Sequence, residues 1–452
     1  MGERSKRERQ EELWIATGAI VRTSGHAFYD RLNEVLAGHG FDRKVEHLCR
    51  RYYRGRKGRP SIAPGAYFRM LLIGYFEGLD SERAIAWRVA DSLSLRKFLG
   101  YGLDETTPDH STVSRTRRLY WLSTHQAVFA WVLRVLAGEG LVRGETISID
   151  ATTLEANAAM RSIVRRDTGE GYEAYLQGLA EEAGLHEPTP EALARFDRKR
   201  KKRTSNRDWK HPHDPDARIA KMKDGRTHLA HKAEHAVDLS SGALMAVTLQ
   251  PADRGDTTSI FETLNEAQAM GTRVGTGPVK ATVLDKGYHS SDVLVGLYER
   301  AVRGYASEPD RGRRRWQGKR EEQKQVYANR RRIRGAAGRR LQHKRAELAE
   351  RSFAHMYETG GMRRVHLRGR SNILKRLLVH GAGFNLSLVM RGLMGAGTPR
   401  QVLRSLSDAL FDLLRSLTGC HTRPIASIPG PASSRGYFSA PPKQTPLAAI
   451  SP

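Results

Sequence analysis

The sequence predicts an α/β protein: a mixed-sheet domain with a helical insertion, preceded by a mostly helical domain. Three observations carry this. Residues 1–140 are rich in helix formers and helix-start signals. At 145–155 the character changes to the β-branched alternation Thr146-Ile-Ser-Ile149, which reads as a strand ending at Asp150. A second apolar strand, Val279-Lys-Ala-Thr-Val-Leu284, ends at Asp285. The expected division is 1–140, then 141–395, then a tail over 396–452.

Taken in order, Ile62 to Leu79 follows Pro60 and contains Pro64, and predicts an apolar helix. Ser81-Glu-Arg reads as a capped helix start. Asp109-His-Ser-Thr-Val-Ser-Arg-Thr-Arg-Arg118 offers an N-cap followed by Arg115, Arg117 and Arg118. Short helices with a basic last member read equally as a helix-turn-helix-like unit or a plain bundle. Residues 156–225 are polar and Pro-spotted and read as an insertion. Strands are expected at His228–Leu239 and, after the turn Ser240-Ser-Gly242, at Ala243–Leu249. A helix is expected at Ser259–Met270, a basic helical region up to Glu350, and a helix from Asn372. The apolar stretch Leu377–Met394 holds His380, Asn385 and Arg391, so it reads as a buried helix rather than a membrane span. Beyond 419 the Pro/Ser/Gly-rich composition predicts disorder.

The 452 residues carry 76 Lys and Arg against 49 Asp and Glu, a net charge of +27. A field of that sign gathers polyanions, with nucleic acid ahead of anionic membrane. Residues 311–345 hold fifteen Lys and Arg against Glu321 and Glu322, about half of the excess. A second run is Arg198-Lys-Arg-Lys-Lys-Arg203. Two cysteines, Cys49 and Cys420, exclude a disulfide framework and a Cys-rich zinc site, and fit a reducing cytosol. The first twelve residues lack the apolar core of a signal peptide, so a cytoplasmic location is expected.

An acid just past an apolar strand stands at a sheet edge, where α/β sites gather. Asp150 and Asp285 would face each other if their strands are neighbours, and Glu350, from a helix, would complete a cluster. Oxygen-only ligands suit Mg²⁺ or Mn²⁺, two of which stabilise the oxygens of a phosphoryl displacement. The alternative is that each acid is a helix cap or a surface charge. Neighbouring arginines are expected to favour the ionised carboxylates.

Ser148-Ile-Asp-Ala-Thr-Thr153, Asp285-Lys-Gly-Tyr-His289 and Glu350-Arg-Ser-Phe-Ala-His355 resemble the three signature segments of DDE transposases of bacterial insertion sequences. Tyr357-Glu-Thr-Gly-Gly-Met-Arg-Arg-Val-His-Leu-Arg-Gly369, Asn372-Ile-Leu-Lys-Arg376 through Phe384-Asn-Leu386, and Pro108-Asp-His-Ser-Thr-Val-Ser-Arg115 extend the resemblance, in matching order, over roughly residues 15–395. It implies an RNase H-like catalytic domain at 141–395, two divalent metals, and DNA cutting and joining. Carried over, Asp150, Asp285 and Glu350 are the metal ligands. Their separations are 135 and 65 residues, the first lengthened by the insertion. Glu347 and Glu358 compete with Glu350, which is preferred because it heads Glu-Arg-Ser-Phe. Some relatives carry an Arg four residues before this Glu and a Lys seven after. Here those positions are Ala346 and Tyr357, so those two roles do not transfer. Ser371 stands where relatives often have an acid.

The resemblance also tilts residues 1–140 towards a helix-turn-helix-like DNA-binding domain, and implies double-stranded DNA as partner (terminal inverted repeats and target), a dimer or higher assembly on DNA, and a place at the nucleoid. DNA contacts are expected from Arg115, Arg117 and Arg118, from Lys232, and from Arg363, Arg364 and Arg368 after the Gly360-Gly361 turn. Internal pairing with acids is the competing role for the last three. A zinc site at His228, His231 and His235 is disfavoured, because His228 and His231 point to opposite faces of a strand. Gly255-Asp256, after a strand, reads as a turn or as a segment near the site, and the turn is preferred. Trp209 and Trp316 read equally as base-stacking residues or local core anchors. Two other functions stay open: a DNA binder without catalysis, and a metal-dependent nuclease.

Overall fold

The computed structural model describes residues 26–53, 61–186, 188–200, 204–222, 224–310, 312, 314–404 and 407. The chain divides by internal packing at Val402, and the unit ending there is described here. The expected disorder after 419, Cys420 and residues 201–203 of the second basic run lie outside the described residues.

Among the described residues, seven α-helices come first: α1 (Ala27–Gly38), α2 (Phe41–Cys49), α3 (Pro64–Glu77), α4 (Glu82–Asp91), α5 (Leu93–Leu99), α6 (His110–Leu119) and α7 (Leu122–Gly138). Pro64 starts α3 at a position where its missing N–H costs nothing. The expected caps are present. Ser81 Oγ accepts the Ala84 N–H at 3.2 Å, and Asp109 Oδ1 accepts that of Thr112 at 2.7 Å. Helix α3 is buried from Gly65 to Phe76, as befits a helix that is apolar all round.

The sheet follows. Its strands are β1 (Thr146–Glu155), the short β2 (Val164–Arg165) and β3 (Trp209–Lys210), then β4 (Arg218–Lys221), β5 (Thr227–Asp238), β6 (Leu244–Pro251), β7 (Ala281–Leu284) and β8 (Arg303–Ala306). β2 and β3 pair apart from the rest. The main sheet runs β6-β5-β1-β7-β8, with β4 also on β5. β1, β4 and β6 pair with β5 antiparallel, whereas β7 lies parallel to both β1 and β8. The long β5 takes β4 along Thr227–Ala230 and β6 beyond it.

Asp150 is not the end of its strand, as the alternation suggested. β1 continues to Glu155 because β5 pairs with it that far. Its parallel partner β7, however, stops at the Ile149–Leu284 pair. Asp150 is thus the first β1 residue without its β7 neighbour, and Asp285 the first residue past β7.

Helices α8 (Tyr172–Glu182) and α9 (Pro190–Lys199) occupy the insertion. Trp209 is buried there between Tyr172 and Tyr175, so of its two readings the core anchor holds. Trp316 packs, partly buried, against the main core near Tyr327.

Helix α10 (Asp256–Val274) links β6 to β7, and α11 (Ser291–Glu299) links β7 to β8. β8 was not foreseen: Arg303-Gly-Tyr-Ala is too short and too mixed to alternate. The basic segment becomes α12 (Arg320–Arg334) and most of α13 (Ala336–Phe353), which a π-helical turn, Ala354–Thr359, prolongs. Helix α14 (Arg370–Met394) is long and apolar enough to cross a membrane, yet most of its apolar window is buried against α3, α7 and β6. Asn385 brackets the backbone of Leu244 on β6, accepting its N–H at 2.8 Å and donating to its carbonyl at 2.9 Å. Lys375 donates to the Arg117 carbonyl and Arg376 to that of Leu79, each at 3.0 Å.

Candidate active site

Side chains alternate across β5, and this sorts the polar groups beneath the strand ends. Lys232 and Glu234 reach α10, while His235 reaches Ser352 of α13. Asp150 sits opposite His235 in the ladder and shares its face. The partner it meets there is Arg345 of α13.

Arg345 Nη1 donates to Asp150 Oδ2 at 2.9 Å, and its Nη2 stands 3.7 Å from Asp285 Oδ1. One guanidinium therefore spans both aspartates. The Ala151 N–H also donates to Asp150, at 2.8 Å. Burial pushes the Asp150 carboxyl above its ordinary value, and repulsion from Asp285 and Asp256 adds to this. The Ala151 N–H and Arg345 oppose the rise without cancelling it. Arg345 favours the ionised form of Asp150, as expected of a neighbouring arginine, while burial pushes the other way and sets the net direction.

Asp256, read as a turn residue, belongs to this region. It opens α10 within electrostatic range of Asp150. Its Oδ1 lies 2.6 Å from Lys232 Nζ. A Cβ on Gly287 would come 2.7 Å from Asp256 Oδ2, so the glycine of Asp285-Lys-Gly-Tyr288 is the residue that leaves room for this carboxylate. The tyrosine of the same motif donates to Glu234 at 3.3 Å, and burial followed by repulsion from Glu234 holds its phenol well above the ordinary value. Both residues can be justified only once α10 is packed against the loop after β7.

Lys232 is buried rather than DNA-facing. Its ammonium bonds the Arg254 carbonyl at 3.1 Å and Ser259 Oγ at 2.9 Å, and lies 3.1 Å from Glu234. The fully buried Glu234 also accepts from Ser259 and, at 2.6 Å, from Thr263. Lys232 thus neutralises Glu234 and Asp256, and the expectation of a DNA contact is withdrawn for it.

Glu350 lies on α13 five residues past Arg345, about 140° around the helix, and is exposed. Among the described residues no hydrogen bond or ion pair engages its side chain, and no group of three or more His, Cys, Asp or Glu stands close enough to hold an ion. Its competitors are engaged: Glu347 pairs with Arg351 at 2.5 Å, and Glu358 with Arg363. The structure brings Asp150 and Asp285 together but does not bring Glu350 to them. The donor set at the aspartates fits a hard divalent cation: oxygen ligands, already gathered about one positive charge.

The remaining expected contacts divide. Arg115 and Arg118 are exposed on α6. Arg117 is not: it is buried and ion-paired with Glu82 of α4, because the face of α6 that carries Val113 packs inward. A DNA contact is withdrawn for Arg117 also. Arg363 pairs with Glu358, Arg364 stands 3.6 Å from Glu155, and Arg368 donates to the Asn157 carbonyl at 3.3 Å. The Arg-rich segment thus runs along the end of β1, its backbone bonded to Glu155 from both sides. The three histidines have separate partners. His228 meets Asp224, His231 the buried Asp214, and His235 lies between Ser352 and Tyr357.

Residues 19–119 match the family described as Transposase domain (DUF772). No curated protein and no solved structure matches the chain.

Proposed function

We propose that this chain is a DDE-type transposase with an RNase H-like catalytic domain. It would cut DNA at the ends of an insertion sequence and join those ends to a target. The observation that carries this reading is the convergence of Asp150 and Asp285 on one guanidinium, beside two adjacent parallel strands. The strand order, with three antiparallel members followed by two parallel ones, supports the RNase H-like assignment. The transposase-domain match over 19–119 supports the biological setting.

Asp150 and Asp285 would hold divalent metal, Mg²⁺ or Mn²⁺, with Glu350 as the third carboxylate. Bound there, two such ions would supply Lewis-acid charge and an acidified water. The chain's residues do the rest. The carboxylates fix where the positive charge sits, and burial of Asp150 raises the benefit of a cation beside it. Lys232, Glu234 and Tyr288 hold Asp256 and the loop after β7 in place. Exposed Arg115 and Arg118, together with Arg363, Arg364 and Arg368, are the proposed DNA contacts. Two DNA ends in one reaction imply a dimer or higher assembly on DNA.

The test is cleavage of DNA containing the sequences that flank the gene, with Mg²⁺ or Mn²⁺. Cuts at the element ends are expected, and Asp150→Asn abolishes them. Full activity in that variant overturns the site. The separation of Glu350 from the two aspartates favours a second reading, a DNA binder without catalysis. Binding of end DNA with no cleavage under any divalent metal assigns that function, and nicking without joining assigns a nuclease.

A further inference from the structure

Helix α2 carries a stripe of cations that no part of the proposed chemistry uses. Phe41, Val45 and Cys49 bury one face, and this turns Arg43, His47 and, in the 3-10 turn that directly continues the helix (Arg50–Tyr52), Arg50 outward along the other. Two adjoining clefts of about 550 and 500 Å³ follow the stripe and share His47 and Arg50 as a common wall. Among the described residues, no ion pair engages Arg43, Arg50 or Arg51, and Glu46 is the one carboxylate lining either cleft.

The stripe ends on a built aromatic platform. Trp121 is 59% exposed, which is unusual for a ring fixed this firmly. Its backbone N–H donates to the Tyr52 hydroxyl at 3.0 Å, and Tyr52 in turn bonds Thr124 at 2.9 Å. The Arg51 guanidinium lies over the indole, 4.2 Å from the ring centroid, and donates to the Tyr52 hydroxyl at 3.0 Å. Stacking engages the face of a guanidinium and leaves its N–H edge for a planar anion. From Arg43 to Arg50 the helix rises roughly 10 Å, the reach of about three phosphates on one strand. In sequence, residues 54–59 add four more cations.

We infer that the α2 stripe, with Arg51 on Trp121, is a docking surface for the phosphate backbone of duplex DNA, separate from the α6 arginines and from the aspartates. It rests on the transposase reading for the identity of its polyanion. The site is confined to Arg43, His47, Arg50, Arg51 and Trp121, with Tyr52 positioning the last two. It is indifferent to base sequence, because every group in it addresses phosphate or a ring face.

The test uses the full chain and a 30-base-pair duplex of arbitrary sequence, with affinity read by fluorescence anisotropy over a salt series. Arg50→Gln/Arg51→Gln should flatten the slope of log K against log salt by about 1.8, since each lost phosphate contact removes about 0.9. Glu46→Gln should tighten binding several-fold at low salt. Melting temperatures equal to the parent's verify that both variants fold. A slope unchanged in the double variant overturns the inference, and if Asp150→Asn still abolishes cleavage the transposase reading stands without it. Failure of the parent chain to bind the duplex overturns both. Polyglutamate competing as well as DNA, at equal charge, assigns the surface to an acidic polypeptide and overturns it also.

Discussion

Arg345 stands 2.9 Å from Asp150 and reaches toward Asp285 with its other terminal nitrogen. The two aspartates come from neighbouring strands and the arginine from a helix 195 residues further along than Asp150. Three distant parts of the chain therefore meet about one guanidinium set between two carboxylates. Among the described residues its buried Nε has no hydrogen-bond partner, and the contacts of the guanidinium are those its terminal nitrogens make with the two carboxylates.

Arg345→Gln removes the charge that offsets both aspartates. Without divalent metal the variant should lose about 1–2 kcal/mol, a figure reduced because Asp285 is half-exposed. Mg²⁺ should then raise its melting temperature by more than it raises the parent's, since no guanidinium competes for the carboxylates. Scanning fluorimetry over a Mg²⁺ titration checks this. An equal rise in both proteins counts against a cation site at Asp150 and Asp285.

Gly287→Ala drives a Cβ into the Asp256 carboxylate. The expected loss is about 1–3 kcal/mol from overpacking. Asp256→Ala in the same chain should return part of it, because it empties the space the methyl needs. A double-mutant cycle by urea unfolding measures the coupling. Additive effects would mean that the two residues do not touch.

Arg117 and Arg118 are adjacent in sequence and opposite in role. Arg117→Ala leaves Glu82 buried without its cation and should cost about 3–5 kcal/mol. Arg118→Ala should leave stability unchanged and lower the salt slope of DNA binding by about 1. Unfolding and anisotropy on the two variants separate these outcomes, and an exchange of the two effects would refute the packing of α6.

Three buried histidines make the fold acid-sensitive. Burial lowers His125 and His235 to about 3 and takes His380 well below its ordinary value. Their folded pKa values lie below the unfolded value of about 6.5, so below that pH the unfolded chain binds more protons. Stability should be flat above pH 6.5 and fall below it, by up to about 1.4 kcal/mol per pH unit for each histidine. A melting series from pH 8 to 5 tests the trend, and His380→Phe should make the decline shallower. A melting temperature constant from pH 7 to 5 would refute the assignment.

The caps at Ser81 and Asp109, the apolar helices and β1, β5, β6 and β7 were legible because each is set by local pattern. Asp150 and Asp285 were legible for the same reason: they follow apolar strand residues. The burial of Lys232 and Arg117 was not. A lysine on a strand and an arginine on a basic helix look solvent-facing until their partners, Glu234 and Glu82, arrive from elsewhere in the chain. Asp256 was hidden differently. After a strand and a glycine, an aspartate reads as a turn, and only the space left by Gly287 reveals what it packs against. The meeting of Arg345 with both aspartates needs the sheet order itself, which no local window contains.

Helix α14 gives the molecule an all-or-nothing synthesis. It is the last long helix among the described residues, and it supplies the wall against which both α3 and β6 close. A chain ended after β8 lacks the surface on which α3, α7 and β6 bury their apolar side chains. A chain ended before residue 370 should therefore fail to fold, so that on the transposase reading a shortened form would not persist as a DNA binder, and the absence of a cooperative melt in that truncation checks this.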